Sequence, residues 1–445
     1  MQKGSMMIHS EYFKKYFVNT SWLFFEHIVR LSVALFVSVY VARYLGPDNY
    51  GLLNYSISFV GLFSVIATLG LDQIVIRELV KDRSKRDFIL GTTFLLKILG
   101  AFLVLILLAI GIQFTSNDSF TNLLIFIIAA GTLFQSINVI DFYFQSRVQS
   151  RFIVQVKFWS IMGISLLKIY SIHIEAPLLW FAFLVLVENI ILALGFFMIY
   201  KSNGLSVLSW KFDMNLAKLF LKNSWPLIFS SIFVTFYIRI DQVMINEILD
   251  SKAVGIYASA VKLSEAWYFV PMIISSSLYP AIIEAKKISE DLYYTRLQQL
   301  YDLLAIIAIV IILPVTILSD WIIIVLYGQE YIGAGTVLSI HIWAGLFVFL
   351  GVARGKWILA ENLQTYTFLY TFLGALSNVI LNLYMIPLYG INGAAFATLI
   401  SQFVSVIVVP FIIKETRTSV FMLIKSILLI SQIQRLRKII YLRKN

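Results

Sequence analysis

The sequence predicts an all-α integral membrane protein: twelve transmembrane helices in two parallel-repeat six-helix bundles, with both termini cytoplasmic. Three observations lead there. Of 445 residues, 60% are apolar and only 13% are charged, whereas a soluble domain carries about a quarter charged residues. The apolar residues come in runs of roughly 20, the length an α-helix needs to cross a hydrocarbon core of about 30 Å. The basic residues, finally, collect on one side of the spans so defined, as positive residues do on the cytoplasmic side of short loops.

In chain order the runs cover residues 19–42, 51–71, 89–112, 121–144, 152–171, 177–200, 220–245, 255–280, 299–318, 334–357, 366–387 and 391–414. The first follows a basic stretch (Lys3, Lys14, Lys15) without a small-residue cleavage site, so it reads as an uncleaved span. The second ends in Leu69-Gly-Leu-Asp72, just before a basic loop with Arg77, Lys81, Arg83, Lys85 and Arg86. The fifth is interrupted by Lys157, Trp159 and Lys168, and its loss would swap the side of every later loop. The charge distribution supports it. With twelve spans, 27 of the 35 Lys and Arg fall on the side of the N-terminus, the opposite side holds only Arg43 and Lys252, and six lie inside spans. Arg354 and Lys356 are counted in a loop after the tenth span. The second half carries Pro226, Pro271, Pro280, Pro314, Pro387 and Pro410 within or beside its spans, where proline bends a helix whose freed carbonyls find other partners.

An internal duplication sets the domains. Arg43-Tyr-Leu-Gly-Pro-Asp-Asn-Tyr-Gly51, after the first span, has a counterpart in Glu247-Ile-Leu-Asp-Ser-Lys-Ala-Val-Gly255, after the seventh, at an offset of 204. Six spans separate the two, so both halves cross in the same sense and repeat about the membrane normal. The expected units are residues 1–210, residues 211–415 and a basic cytoplasmic tail, 416–445. Short apolar clusters among Lys425, Arg435, Arg437, Lys438, Arg443 and Lys444 suit either an amphipathic helix on anionic lipid or a solvated basic tail.

The net charge of +11 would suggest nucleic acid in a soluble protein, but no loop here could hold a basic domain. Cysteine is absent, which excludes disulfides and thiol chemistry. His27 and His341 have no ligand-spaced partner, so no metal site is expected. The phosphate-binding pattern G-x-x-x-x-G-K-[ST] is missing, and no loop offers a catalytic constellation. The chain therefore reads as a non-enzyme that works inside the membrane without nucleotide or cofactor.

Ionisable groups at membrane depth cost several kcal/mol and face water, a cavity or one another. The cations inside spans are Arg30, Lys97, Lys157, Lys168, Arg239 and Lys262. Arg30, Arg239, Lys97 and Lys262 are the candidates for gripping a diphosphate, since arginine offers a planar fork and lysine a point charge. Each has a plainer reading too: Glu26 lies four residues before Arg30 and Glu265 three after Lys262, so either could be neutralised on its own helix, while Lys157 and Lys168 could snorkel. Polar stripes at helical spacing comprise Gln135, Asn138, Asp141 and Gln145; Thr235, Arg239, Gln242 and Asn246; and Thr371, Gly374, Asn378 and Asn382. Gln135, Asn138, Gln242, Asn378 and Asn382 are expected to line a polar cavity. Asp241, Asp141 and Glu26 are candidates for coupling to a proton or sodium ion, or carboxylates that simply balance a neighbouring cation.

Five short motifs in order, Arg43-Tyr-Leu-Gly-Pro-Asp-Asn-Tyr-Gly51, Leu69-Gly-Leu-Asp72 leading to Ile76-Arg-Glu-Leu79, Arg239-Ile-Asp241, Leu326-Tyr-Gly328 and Tyr389-Gly-Ile-Asn-Gly-Ala-Ala395, make the chain resemble the Wzx-type polysaccharide-unit flippases. These belong to the superfamily of multidrug, oligosaccharidyl-lipid and polysaccharide exporters. The resemblance implies flipping of an undecaprenyl-diphosphate-linked oligosaccharide, such as an O-antigen unit of lipopolysaccharide biosynthesis, across a bacterial inner membrane. It also implies alternating access around a cationic cavity, coupling to H+ or Na+, and partners among membrane lipids and other glycan-assembly proteins. Two alternatives stand beside it. A cation or drug antiporter of the same superfamily would favour an anionic cavity, and a membrane glycan polymerase or ligase would carry a large outer loop with catalytic Arg and His.

Overall fold

A computed structural model describes residues 2–428, with side chains from Glu26 onward. Every regular element among them is helical. Helix Arg86–Gly111 shows why such a chain belongs in a membrane. One stripe, Leu99, Phe102, Leu103, Ile106 and Ile110, is exposed, although an aqueous surface would not tolerate it. The opposite stripe buries Ile89, Thr93, Leu96, Lys97, Gly100 and Val104. The polar residue faces in and the apolar ones face out.

Ten helical stretches among the described residues are long and apolar enough to cross a bilayer. Two are too long for one crossing: Glu26–Lys81 has 56 residues and Thr365–Ile412 has 48, about 84 and 72 Å of helix. Each contains a break. Gly46 (φ 69°, ψ 169°) and Gly390 (φ 59°, ψ −141°) leave helical geometry, in conformations that glycine adopts without the penalty a Cβ would bring. Divided there, the stretches agree with the twelve spans expected.

The chain packs as two compact units, Met1–Val243 and Met244–Asn445. The division falls within helix Met214–Ile248, so most of the seventh span packs with the first unit instead of opening the second. Its residues touch the second span: a Cβ on Gly70 would lie 2.9 Å from Leu227 Cβ, and Ser58 Oγ donates to Gln242 Oε1 at 2.8 Å.

The duplication is legible in the breaks. The interruption at Gly46 recurs 204 residues later, where Asp250 caps helix Ser251–Glu265 by accepting from Ala253 N at 2.7 Å. The fourth span is interrupted by a 3-10 turn, Ser136–Asn138, and the tenth by Ile342 and Trp343, again about 204 residues on.

Helix Arg417–Ile427 covers the only described part of the expected tail. It buries Ser419, Val420, Met422, Leu423 and Ser426. Ser426 Oγ donates to Asp302 Oδ1 at 2.7 Å, and Gln298 Nε2 donates to both. This segment is docked on helix Glu290–Tyr327; residues 429–445 lie outside the described part. Arg354, expected in a loop, instead lies in helix Ala344–Ala360 and is only 4% exposed. The apolar run continues past it, because its charge is absorbed inside the protein.

Candidate functional site

The first unit holds a partly open polar cavity of about 280 Å³ between its second, third and fourth spans and the short helix Asp72–Lys81. Two close helix approaches frame it. A Cβ on Gly100 would sit 3.1 Å from Ala67 Cα, so helix Arg86–Gly111 meets the second span almost backbone to backbone. A Cβ on Gly131 would sit 2.8 Å from Asn189 Nδ2, and Gln135 Nε2 donates to Asn189 Oδ1 at 3.1 Å. The helices part beside these contacts, where longer polar side chains fill the gap only partly.

The stripe Gln135, Asn138, Asp141 and Gln145 lines this cavity in full. The 3-10 turn Ser136–Asn138 contributes to that alignment, since side chains three apart eclipse in such a turn and Gln135 stacks over Asn138. Asp141 is held tightly: Lys157 Nζ donates to its Oδ2 at 2.8 Å and Gln145 Nε2 to its Oδ1 at 2.7 Å. Lys157 is therefore a counterion, and Lys168 likewise donates to Glu188 Oε2 at 3.2 Å; neither lysine snorkels alone.

Lys97 reaches the same cavity and is only 6% exposed. Its ammonium lies 4.8 Å from the centre of the Phe142 ring and 3.8 Å from Asp72 Oδ1, too far for a direct hydrogen bond. Among the described residues it makes no hydrogen bond to the protein. Burying an ammonium costs several kcal/mol even after relaxation. A cation–π contact returns about 0.5–2 kcal/mol, and a loose pair with a carboxylate whose side chain is 50% exposed adds little. The deficit is met only if acceptors inside the cavity bind the ammonium. Asp72 and Ser136 also line the cavity, and Ser136 Oγ is buried with no partner among the described residues.

The other expected residues do not converge here. Arg30 is paired on its own helix, with Nε 2.9 Å from Glu26 Oε1 and its fork against His27 Nδ1 at 2.9 Å, so Glu26 serves as its counterion. Arg239 is half-buried and its side chain lies along Gly61, where the missing Cβ leaves it room. Gln242 and Asp241 are buried in the first unit, and Gln242 is bonded to Ser58. In the second unit Lys262 is half-buried on helix Ser251–Glu265. Asn378 and Asn382 are fully buried and face protein: Asn382 Nδ2 donates to Asn378 Oδ1 at 3.2 Å, and Asn378 Nδ2 lies 3.5 Å from Thr398 Oγ1. Among the described residues no three His, Asp or Glu side chains are grouped to hold a metal.

Two residues that matter were not singled out by spacing. Asp72 lies 25 positions before Lys97, and its only signal is the Leu69-Gly-Leu-Asp72 motif. There Leu69 (φ 50°) and Gly70 (φ 58°) turn the chain sharply, so that Asp72 begins a separate helix, Asp72–Lys81. Arg354 donates to the carbonyls of Val406 and, at 3.3 Å, Ser405, within the π-helical turn Val404–Val408, and lies 4.8 Å from the Tyr370 ring centre.

The profile of the family described as "Polysaccharide biosynthesis protein" matches residues 17–286. A curated relative, capsular polysaccharide biosynthesis protein CapF of Staphylococcus aureus, is 20% identical over 393 residues, 87% of this chain and 97% of CapF. Among solved structures, lipid II flippase MurJ in an inward closed conformation superposes with a TM-score of 0.68 at 17% identity, covering 93% of this chain and 91% of MurJ. An inward-facing multidrug resistance MATE family transporter of the MOP superfamily gives 0.65 at 11% identity, covering 91% and 96%. These structural likenesses show the fold.

Proposed function

Because this chain belongs to the polysaccharide biosynthesis protein family, we propose that it carries an undecaprenyl-diphosphate-linked oligosaccharide from the cytoplasmic to the outer leaflet of a bacterial cytoplasmic (inner) membrane. It does so by alternating access, with H+ or Na+ as the coupling ion. The observation that carries this reading is the polar cavity inside a membrane-spanning unit, where Lys97 is kept at a solvation cost that structure alone does not need. A drug or cation antiporter would call for free carboxylates in the cavity, but here Asp141 is closed by Lys157 from outside the lining and Asp72 is loosely paired with Lys97. Short outer loops disfavour a polymerase or ligase. The capsular assignment of CapF favours a capsular unit over an O-antigen unit as cargo.

Deletion of the gene tests it. The expected result is loss of surface polysaccharide and accumulation of its lipid-linked intermediate, both reversed by the wild-type gene. Unchanged surface polysaccharide together with raised drug susceptibility would overturn the reading in favour of a drug exporter.

A further inference from the structure

The segment between the sixth and seventh spans, residues 203–213, is pinned to the first unit. Lys211 N donates to Asp87 O at 3.0 Å, and a Cβ on Gly91 would lie 2.6 Å from both the N and the O of Lys211. The segment therefore crosses the start of helix Arg86–Gly111 backbone to backbone. Asp213 N donates to Thr92 Oγ1 at 2.9 Å and Trp210 Nε1 to Tyr200 Oη at 3.2 Å, with the indole edge-on to Phe94 and Tyr200.

A segment so held cannot fold its apolar side chains away. Leu208, on the 3-10 turn Val207–Ser209, is 93% exposed, and Phe212 and Met214 are exposed as well. So is Phe88, whose ring centre lies 5.7 Å from the Lys211 ammonium. None of these four falls within an expected span. Lys201, Lys211 and Lys218 are exposed too, and among the described residues none of the three has a carboxylate partner. The carboxylates of this region are already engaged. Asp87 accepts from Arg86 Nε at 2.8 Å and Nη2 at 3.0 Å, and Asp213 accepts from Asn215 N at 2.7 Å and Leu216 N at 3.0 Å.

Lys201 lies in the last turn of helix Leu178–Ser202 and Met214 opens helix Met214–Ile248, so the patch stands at the membrane's edge. Water would disfavour the apolar groups, and hydrocarbon would disfavour the ammoniums. The boundary between headgroups and acyl chains suits both, because apolar side chains there reach about 5–10 Å in while basic ones meet anionic lipid.

We propose that residues 203–214 form an amphiphilic anchor: Leu208 and Phe212 insert into the leaflet on the basic side of the membrane, and Lys201, Lys211 and Lys218 bind phosphates of anionic phospholipid. The anchor is independent of the cargo and goes beyond the carrier reading. Through Asp87 and Thr92, its depth also sets the depth at which the third span begins.

The chain contains no cysteine, so Leu208→Cys carries a nitroxide label at a single site. The test places the labelled full chain in nanodiscs of phosphatidylcholine, alone or mixed with phosphatidylglycerol. Asp291→Cys, exposed in the first turn of helix Glu290–Tyr327, is the water-facing reference. Relaxation of the label at 208 is expected to respond more to oxygen than to a water-soluble nickel chelate, and at 291 the reverse. Phosphatidylglycerol is expected to raise the oxygen-to-nickel ratio at 208 further. Lys201→Gln, Lys211→Gln and Lys218→Gln together are expected to abolish that rise, and the three arginine replacements to keep it, which separates lost charge from a folding defect. A label at 208 as accessible to nickel as the one at 291 in both lipids overturns the anchor and leaves the patch to a protein partner. A ratio indifferent to phosphatidylglycerol, or a rise that survives the glutamine variant, overturns the assignment of the three lysines to anionic lipid.

Discussion

In the first unit the second, third and fourth spans border a polar cavity of about 280 Å³, whereas in the second unit their counterparts, the eighth to tenth, close around a void of about 10 Å³. The first is lined by Asp72, Lys97, Gln135, Asn138 and Asp141 among others, the second mainly by apolar residues, Trp267, Ala308, Ile311, Ile312, Ile342 and Phe349, with the hydroxyl residues Ser264 and Tyr268 but no charged group. The helix breaks agree, so the backbone plan does not decide which half holds a site. The side chains do. The second unit also contains buried polar groups, and many bond to protein: His341 Nδ1 with Ser264 Oγ at 2.9 Å, Asn378 with Asn382, Asp302 with Ser426, and Arg354 with the carbonyls of a π-turn. Ser275 Oγ, Thr316 Oγ1 and Trp357 Nε1 are buried without a hydrogen-bond partner among the described residues, but none of them lines the void. Only a group left unsaturated has bonding capacity for a ligand.

The comparison breaks most visibly where the apolar void is made to imitate the polar one. Ile312 is 2% exposed against that void. Ile312→Lys buries an ammonium with no carboxylate in the lining and is expected to cost about 3 kcal/mol or more, read as a large fall in melting temperature or loss of monodisperse protein. Retained stability would mean that the second unit holds hidden polar capacity. The reverse change sharpens the same point. Lys97→Leu removes a poorly compensated cation and leaves a half-exposed carboxylate, so melting is expected to hold or rise while export of surface polysaccharide falls about tenfold or more, a loss of about 1.4 kcal/mol of ligand interaction. A drop in melting with export intact would make Lys97 structural.

The two ion pairs of the cavity should separate next. Asp141→Asn leaves Lys157 without its counterion and is expected to destabilise by about 1–3 kcal/mol. Asp72→Asn, at the loose and half-exposed pair, is expected to cost under about 1 kcal/mol. Equal losses in thermal melts would show that the pairs are not energetically distinct.

Much of this was legible in the chain, and what was hidden has a common physical cause. The third span, expected at 89–112, is helix Arg86–Gly111, because twenty apolar residues have few alternatives. The 3, 3, 4 spacing put Gln135, Asn138, Asp141 and Gln145 on one face of a helix, and all four line the cavity. Spacing along one helix is a local property and could be read. The pairing of Lys97 with Asp72, of Lys157 with Asp141 and of Lys168 with Glu188 joins different helices, and no period records it. Arg354 was hidden for a related reason: at the edge of an apolar run it resembles a loop cation, and only the π-turn carbonyls of another helix explain its burial. Arg30 was legible in both its readings, and the pairing with Glu26 on the same helix is the one adopted.

The smallest expected effect lies where the matching spans begin. The fourth span is capped by Asp118, which accepts from Thr121 N at 2.8 Å, while helix Ala334–His341 of the tenth begins at Gly333 with no side-chain cap. Those hydrogen bonds hold the Asp118 carboxyl below its ordinary range. Its stabilisation is therefore complete above the unfolded value, about pH 4, and is lost as pH falls through the lower folded value. At this exposed site Asp118→Ala is expected to cost about 0.5 kcal/mol at pH 7. The melting difference from wild type should shrink as pH falls below the ordinary carboxylate range and vanish once the folded carboxyl is protonated. A difference that persisted there would assign the cap's contribution to helix geometry instead of charge, and the two spans would then differ at their starts for the same reason they differ at the cavity: side chains set on a shared backbone.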